Sequence, residues 1–534
     1  MKAPAGVVLT IPSAIMCAML FSPIAAPTQD SSGNPSVSQE VKHDLSPGSL
    51  RDMAKAAQVS TGNRQLGHPA LSTHSPFKSS QTDPVAQVPT GAIVSVITAL
   101  NFDGLDATQT VASGGPVVPP DTNGAVGATQ FVEWVNLTFE VFDKTTGAAV
   151  MLPTPGNAFW KGFGGTCETR NDGDIIIQYD KLANRWVAAQ PVFAPPFMYC
   201  LAVSTTSDAT GSYNRYAFSF PSPNTNLPDY PKLGVWPDGY YVTANIFNPH
   251  FSGAMACALD RANMLAGNAA TIICFQEPPS VSSLLPSDLD GKTSPPVGSP
   301  NFMVGVADAS DLNFFRFHVD FSNPANSTFT GPTLIPVAPF TEACSLSTRA
   351  CITEPNPGEK LDSLGDRVMY RLAYRNFGAH EALVVNQTIE GGAAGGIRWY
   401  EIRNPNNSSS SPFVFQQGTI IDPNINYWMG SIAMDGVGNI ALGFSASSRG
   451  LFPSVAVAGR VPSDLPLGTL EAPIFLVTGA GVQVQSFRRW GDYSSMSVDP
   501  SDDCTFWYSQ EYMKTTASFD WSTRIASFKF NSCN

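Results

Sequence analysis

The feature of this sequence that most restricts its fold is a short apolar segment that recurs about seven times. Each copy follows a corner rich in Gly, Asp, Tyr or Trp, and further strand-like segments come after it. Clear copies are residues 173–180, 230–238, 365–370, 428–435 and 491–499. Small sheets of this size, repeated around one axis, form a β-propeller. The pattern therefore predicts an all-β protein with the fold of a seven-bladed β-propeller.

The predicted blades are spaced over most of the chain. We expect them at approximately 120–165, 173–206, 229–277, 300–338, 366–404, 428–460 and 490–530. Residues 91–98 alternate in polarity but have no blade of their own, so we expect them to pair in the sheet of 493–530. The ring is then closed by an N-terminal strand, which leaves no long exposed sheet edge. The insertions 278–299 and 339–362 are predicted to be loops.

The composition fits this fold and limits the partners. Hydrophobic residues make up 43% of the 534 residues and charged residues only 14%, and the 44 Gly and 44 Pro suit many short strands joined by tight turns. A net charge of −13, without a cluster of Lys and Arg, argues against nucleic acid or an anionic membrane surface as a partner. Beyond the N-terminus, no segment has the ~18–20 apolar residues of a membrane span.

The N-terminus has the pattern of a secretory signal. Lys2 is followed by an apolar stretch over 7–21 and by small residues at Ala25 and Ala26. We therefore predict a signal peptide over 1–26, a disordered linker rich in Ser, Pro and Gln over 27–88, and the propeller domain over 89–534. A lipoprotein cysteine at Cys17 is disfavoured, because Met16 precedes it. The predicted location is secreted, either extracellular or periplasmic.

Removal of the signal leaves eight of the nine cysteines, an even number that fits an oxidising compartment. Metal binding by these cysteines is disfavoured, because the sequence has no CxxC pair. Cys504 and Cys533 flank a predicted hairpin, so its register places them opposite each other. Local spacing, and elimination for the first pair, predict four disulfides: Cys167–Cys200, Cys257–Cys274, Cys344–Cys351 and Cys504–Cys533.

Several longer motifs resemble those of a known group of proteins. They are residues 119–127, 229–242, 366–375, 396–401 and 489–496. Together they are similar to a group of secreted bacterial β-propeller proteins, distantly sialidase-like in fold, that carry no established activity. The resemblance covers nearly all of 90–534 and implies a propeller fold and export. The Ser-x-Asp-x-Gly-x-Thr-Trp box of true sialidases is absent, which argues against sialidase activity.

Charged and aromatic residues lie just before the predicted innermost strands. In a propeller these corners converge at the mouth of the central channel, where a concave polar surface favours a ligand site. Turn formation explains Asp at such a corner, but it does not explain Lys or Arg. The predicted ligand-binding residues are Asp174, Tyr230, Lys232, Asp366, Arg367, Trp428, Arg489 and Asp492. The alternative is that each is a turn former or a structural ion pair.

Two further predictions concern individual side chains. Arg371 and Arg375 lie in the middle of a predicted strand, and we expect each to pair with an Asp of a neighbouring blade as a structural contact. No cofactor is expected. Ca²⁺ is the alternative, because Asp121 and Asn123 offer hard oxygen ligands in a tight turn.

The sequence favours a binding or interaction module for a carbohydrate or another small polar ligand at the channel mouth. The alternative is a secreted carbohydrate-active hydrolase, similar to a sialidase or glycosidase, that uses carboxylates at the propeller mouth. The sequence does not decide whether the protein is an enzyme, and it assigns no catalytic residue.

Overall fold

The structure is a computed structural model, and it describes most of the region predicted to form the domain. The described residues are 1–2, 33–55, 75–89, 91–115, 117–220, 227–345, 349–356, 359–406, 411–484 and 488–533. Of the predicted signal peptide only residues 1–2 are among them, and Cys17 lies outside the described residues. No helix in these ranges is long and apolar enough to cross a membrane.

The first half of the described domain consists of antiparallel sheets whose strands follow one another along the chain. Sheet A contains Asn123–Val126, Gln130–Val135, Thr138–Asp143 and Ala149–Pro155. Sheet B contains Ile176–Asp180, Arg185–Val192, Met198–Ser204 and Tyr213–Phe218. Sheet C contains Leu227–Val235, Tyr240–Phe247, Phe251–Leu259 and Thr271–Gln276. Sheet D contains Leu285–Leu289, Asn301–Val306, Asp311–His318 and Thr328–Pro336.

The second half repeats this arrangement. Sheet E contains Val368–Asn376, Glu381–Gly391, Ala394–Arg403 and Phe413–Ile420. Sheet F contains Asn426–Met434, Ile440–Ser448, Leu451–Arg460 and Ile474–Val477. Sheet G contains Ser495–Val498, Phe506–Tyr512, Ser522–Phe530 and, from near the N-terminus, Val96–Asp106. The remaining elements are short: a hairpin of Ala350–Thr353 and Lys360–Asp362, the α-helices Leu50–Lys55, Gly165–Thr169 and Arg261–Ala266, and the 3₁₀ turns Ala107–Ser113, Gly156–Trp160 and Pro324–Asn326.

The first strands of the sheets contact one another in cyclic order. Each first strand from A to F contacts the first strand of the next sheet, and the first strand of G contacts that of A. Sheets D and E are also joined directly, because Ser287 pairs with Leu372 and Leu289 with Tyr374 in a parallel ladder. The fold is therefore all-β and propeller-like, with the first strands innermost.

The strand Val96–Asp106 completes sheet G from the N-terminal side. It pairs antiparallel with Ser522–Phe530, from Val96 opposite Phe530 to Asp106 opposite Ser522. The prediction that 91–98 pairs in this sheet is confirmed for residues 96–98. Ile93 instead forms a parallel bridge with Ala472, so the first residues of that segment lie against sheet F.

The predicted disorder of 27–88 is wrong for three short strands. Ser36–Gln39 pairs with Thr271–Gln276 of sheet C, and Lys42–Leu45 pairs with Tyr213–Phe218 of sheet B. Ala86–Gln87 pairs with the fourth strand of sheet E. The outermost strand of each sheet offers unpaired backbone groups that a passing polar segment can satisfy. The helix Leu50–Lys55 of the same region is also ordered, and it buries Leu50 and Met53 in the core.

The two insertions predicted as loops also contain strands. Within 278–299, Leu285–Leu289 is the buried first strand of sheet D. The sequence predicts a loop here because Pro and Ser interrupt the short apolar pattern. In the structure, contacts with the first strands of sheets C and E bury this segment. Within 339–362, Ala350–Thr353 pairs with Lys360–Asp362.

The sheets pack face to face through large aromatic side chains. All nine tryptophans are buried. The ring centroids of Phe131 in sheet A and Trp507 in sheet G lie 5.1 Å apart in a stacked pair, and those of Tyr241 in sheet C and Phe317 in sheet D lie 5.2 Å apart. Strands buried on both faces are what stacked small sheets require.

The four predicted disulfides are all present. The Cα–Cα distances are 5.9 Å for Cys167–Cys200, 4.1 Å for Cys257–Cys274, 5.2 Å for Cys344–Cys351 and 5.5 Å for Cys504–Cys533. Cys257 and Cys274 are direct cross-strand partners in sheet C. Four disulfides are typical of a protein folded in an oxidising compartment.

The pairing of Val96–Asp106 leads to a test by truncation. We expect a chain that begins at Gly91 to unfold cooperatively but with lower stability. It loses short strands at outer edges and the helix Leu50–Lys55, whose Leu50 and Met53 are buried, but every sheet from A to G keeps its four strands. A chain that begins at Ala107 is expected to lose cooperative unfolding, because the third strand of sheet G then becomes a long exposed edge. Circular dichroism during heating measures the difference, with a chain that begins at Pro27 as the control. Identical melting of the two shorter chains would contradict the expectation.

Candidate functional site

Each of the seven sheets has a residue with left-handed backbone geometry at or shortly before its first strand. The φ angles are 52° at Asp121, 49° at Asp174, 54° at Tyr230, 49° at Ser283, 46° at Leu364, 55° at Met429 and 60° at Asp492. Asp tolerates this conformation, whereas Tyr, Leu and Met adopt it only when the surrounding structure imposes it. Because the residues share one end of the innermost strands, they bring the side chains near them together there.

Lys232 lies at the centre of this arrangement and is fully buried. Its Nζ lies 3.5 Å from the ring centroid of Tyr230 and 4.1 Å from that of Tyr493. It donates to the backbone oxygen of Pro231 at 2.9 Å. Burial lowers the pKa of Lys232 to about 8, although the negative charges of Asp174, Asp121 and Asp492 act in the opposite direction. The ammonium group is thus enclosed by aromatic rings and surrounded by carboxylates.

Tyr230 connects several of the predicted residues. Its backbone N–H donates to Oδ2 of Asp174 at 3.2 Å, and its hydroxyl donates to the backbone oxygen of Asp492 at 3.1 Å. The guanidinium carbon of Arg367 lies 4.4 Å from the centroid of the same ring. Arg367 also donates to both carboxylate oxygens of Asp366, at 2.8 and 2.9 Å.

Two arginines and two carboxylates extend this group. Arg489 donates from one terminal nitrogen to the carboxylate of Asp492, and its Nε lies 3.7 Å from Asp362. Arg349 lies 3.7 Å from Asp362 and 3.9 Å from Asp366. Burial raises the pKa of Asp362, and the nearby charges of Arg349 and Arg489 offset only part of this effect. We call these residues the charged cluster: Asp121, Asp174, Tyr230, Lys232, Arg349, Asp362, Asp366, Arg367, Arg489, Asp492 and Tyr493.

The structure brings seven of the eight predicted ligand-binding residues into the charged cluster, and Trp428 is the exception. Trp428 is fully buried in an apolar group, with its ring centroid 5.6 Å from that of Trp490. The sequence prediction placed it at the mouth because it precedes an innermost strand. Its side chain instead faces the core, so it offers no surface for a ligand.

Arg349 and Asp362 were missed because they lie in an insertion that was predicted to be a loop. The structure joins Cys344 to Cys351, and this short covalent loop contains Arg349. Asp362 ends the small hairpin that follows. The cysteine pair was the available signal, since a stapled loop holds its side chains in fixed positions.

Asp121 is the most perturbed carboxyl group of the charged cluster. It is 2% exposed, and its Oδ1 has no hydrogen-bond partner within the described part of the chain. Burial and the negative charges of Asp492 and Asp174 raise its pKa well above the usual value, although Arg489 and Lys232 act in the opposite direction. The buried environment of Asp121 thus favours the protonated form of this carboxyl group more than water does.

The calcium prediction at Asp121 and Asn123 gains no support. Oδ1 of Asn123 accepts a hydrogen bond from the backbone N–H of Ile177 at 2.7 Å, so this ligand atom is already used. In the ranges that the structure describes, no three or more His, Cys, Asp or Glu side chains are grouped so as to hold a metal ion.

Arg371 and Arg375 make structural ion pairs as predicted, but only the first pairs with an adjacent sheet. Nε of Arg371 lies 2.7 Å from Asp288 of sheet D, and the same side chain pairs with Asp290. Arg375 instead donates to both carboxylate oxygens of Asp503, at 2.8 and 2.9 Å, and Asp503 belongs to the first turn of sheet G.

Comparisons with known proteins give no match by sequence and only distant similarities by structure. No family model matches the chain, and no curated protein matches its sequence. Among solved structures, the endosialidase of phage phi92 is similar with 9% identity and a TM-score of 0.32, over 82% of this chain and 70% of that one. The WD40 domain of SCAP from fission yeast has 8% identity and a TM-score of 0.31, over 82% of this chain and 97% of that one. A DUF4623 family protein from Bacteroides eggerthii has 8% identity and a TM-score of 0.32, over 70% and 76%. These TM-scores are low, so the strand pairing of this chain alone defines its fold.

Proposed function

We propose that the protein is an exported seven-bladed β-propeller that binds a carbohydrate or another small polar ligand at the charged cluster. The cyclic contacts of the first strands support seven blades, and the pairing of Val96–Asp106 in sheet G supports closure by an N-terminal strand. The four disulfides support export.

The observation that carries the binding proposal is the unsatisfied guanidinium of Arg349. Its three side-chain nitrogens are shielded from solvent, and none has a hydrogen-bond partner within the described residues. Buried polar atoms of native proteins are almost always paired with protein, water or a ligand. A ligand with several oxygen acceptors would accept hydrogen bonds from these nitrogens of Arg349.

The charges of the charged cluster indicate the chemistry of this ligand. Guanidinium groups donate to hydroxyl or carboxylate oxygens, and the carboxylates of Asp366 and Asp492 accept from hydroxyl groups. The rings of Tyr230 and Tyr493 offer apolar faces beside them. A polyhydroxylated molecule presents donors, acceptors and apolar C–H faces together, so a carbohydrate is the first class to test.

The test compares wild type with Arg349→Gln in a screen of mono- and oligosaccharides and small polar acids by calorimetry. We expect the variant to bind the best ligand about tenfold more weakly or worse, since charge-assisted hydrogen bonds are lost. Its melting temperature should fall only modestly, because the side chain makes no hydrogen bond to the protein and its ion pairs with Asp362 and Asp366, at 3.7 and 3.9 Å, are long. The matched control is Arg449→Gln, at an exposed hairpin turn. If Arg349→Gln binds the ligand as tightly as wild type, or loses much of its stability, Arg349 has a structural role and not a binding role.

A glycoside hydrolase is the second candidate, and the environment of Asp121 favours it. A carboxyl group with a raised pKa close to a second carboxyl group is the arrangement of a general acid and its partner in glycosidases. Aryl glycosides that release a coloured alcohol test this idea, with Asp121→Asn as the comparison. Hydrolysis that the variant abolishes would support catalysis, whereas binding without hydrolysis would support the binding module.

A further inference from the structure

A second concave site lies between sheets E and F, away from the charged cluster. It is an open cleft with a volume of about 180 Å³, which is room for one small ligand. Phe377 and His380 enter it from the turn after the first strand of sheet E, and Val437 and Gly438 enter it from the corresponding turn of sheet F. The charged cluster lies where the first strands begin, so the cleft is at the opposite end of these strands.

Arg403 is the polar anchor of the cleft. Its guanidinium carbon lies 3.3 Å from the ring centroid of Phe415, and its Nε donates to Oε1 of Glu401 at 2.6 Å. Glu401 is 2% exposed and is also held by Nε2 of Gln416. These contacts fix the plane of the guanidinium. Neither terminal nitrogen of Arg403 donates to protein within the described residues, while its side chain is 25% exposed. Two parallel N–H groups of this kind match the two oxygens of a carboxylate.

The other polar groups of the cleft leave it with a positive balance. The carboxylate of Glu401 offsets one of the two arginines, and Arg460 supplies the second positive charge. Arg460 is engaged with backbone oxygens of Asp464 and Thr469 and so has a structural role. His380 stacks on Phe377 with centroids 4.9 Å apart. Burial and the charge of Arg403 lower the pKa of His380. An anion is therefore favoured over a cation.

The rest of the lining is apolar. Phe377, Phe415, Met434, Pro462 and Leu467 form the walls. Val437 is 50% exposed and Leu467 is 47% exposed, so uncovered apolar surface borders the cleft. A ligand with a hydrocarbon chain or ring would cover this surface and gain free energy from its burial.

We propose that this cleft binds a carboxylate carried on an apolar group, with the carboxylate on Arg403 and the apolar group between Phe377, Met434 and Leu467. The ligand is a free arylalkanoic or alkanoic acid, or the C-terminal carboxylate of a peptide that ends in a large apolar residue. The site is separate from the charged cluster and does not depend on the function proposed there.

Calorimetry with 3-phenylpropionate tests the proposal, with 3-phenylpropionamide as the neutral analogue. We expect saturable binding of the acid and about tenfold weaker binding of the amide, because the amide loses the charged hydrogen bonds to Arg403. A tetrapeptide ending in Phe, with a free or an amidated C-terminus, distinguishes the two sources. Tighter binding of the free peptide than of 3-phenylpropionate assigns the site to chain termini.

Two variants locate the binding in the cleft. Arg403→Gln should weaken binding of 3-phenylpropionate about tenfold or more, and Arg449→Gln, the matched exposed arginine, should not change it. If Arg403→Gln fails to fold, Val437→Trp at the exposed rim fills the cleft without removing a charge, and it should also weaken binding. The proposal is wrong if the acid does not bind, if acid and amide bind equally, or if neither folded variant loses affinity.

Discussion

Replacement of Arg371 with methionine is expected to lower the free energy of unfolding by about 3–5 kcal/mol. Arg371 lies in the first strand of sheet E and is 2% exposed. It pairs with Asp288 and Asp290, and its NH1 donates to the backbone oxygen of Met496 in sheet G at 2.8 Å. The side chain thus ties three sheets together. Methionine fills similar space but leaves two buried carboxylates without their shared cation.

Denaturant unfolding, followed by circular dichroism, measures this loss. Arg449→Met, at an exposed turn of sheet F, is the control and should change stability by no more than about 0.5 kcal/mol. Burial alone would raise the pKa of Asp290. The charges of Arg371, Lys181 and Arg375 nevertheless hold this pKa well below its usual value. Adding Asp288→Asn and Asp290→Asn to Arg371→Met should therefore recover part of the stability. A loss below about 1 kcal/mol in the single variant would show that the ion pair contributes little.

The second large effect is expected at Glu133, which joins the first and last sheets. Glu133 belongs to sheet A and is fully buried. Its carboxylate accepts from the backbone N–H of Leu105 at 2.7 Å, from the hydroxyl of Thr523 at 3.0 Å and from the hydroxyl of Ser509, all in sheet G. Gly104 lies so close that a Cβ there would collide with this carboxylate. Glu133→Ala leaves the buried N–H of Leu105 and the hydroxyl of Ser509 unpaired and should cost about 3 kcal/mol. The hydroxyl of Thr523 can still donate to the backbone oxygen of Leu105 at 2.8 Å.

Glu133 also predicts how stability depends on pH. Burial raises its pKa from 4.5 to about 7, and the hydrogen bonds from Ser509, Leu105 and Thr523 offset only part of this effect. A folded-state pKa above the unfolded value means that the group's contribution to stability is complete below pH 4.5 and is lost as the pH rises through about 7. Between pH 4.5 and 8 wild type should therefore lose up to about 3 kcal/mol that Glu133→Gln does not lose.

Unfolding curves at several pH values measure this difference. Glu140 lies opposite Glu133 in the strand pairing, and its pKa is also raised to about 7, first by burial and then by the charge of Glu133. Glu140→Gln is therefore the matched variant and should remove a smaller part of the pH dependence. Parallel pH profiles for wild type and Glu133→Gln would contradict the assignment of the effect to Glu133.

The site was predictable where it depends on strand order. Lys232, Arg367 and Arg489 were expected to converge because each precedes an innermost strand, and the structure brings them together around Tyr230, Asp366 and Asp492. The prediction failed for Trp428, because position along the chain does not decide which way a side chain points. In that corner the left-handed residue is Met429, and the indole packs against Trp490 in the core.

The sequence by itself determined the all-β class, the recurrence of the innermost strands and the four disulfides. These features depend on local polarity, on the spacing of the cysteines along the chain and, for Cys167–Cys200, on elimination. Only the tertiary structure decided that Leu285–Leu289 is a strand, that polar N-terminal segments pair at outer edges, and that Arg349 joins the charged cluster. The cleft at Arg403 likewise exists only once sheets E and F are packed. These outcomes depend on backbone groups and surfaces that distant parts of the chain supply, and no local pattern encodes them.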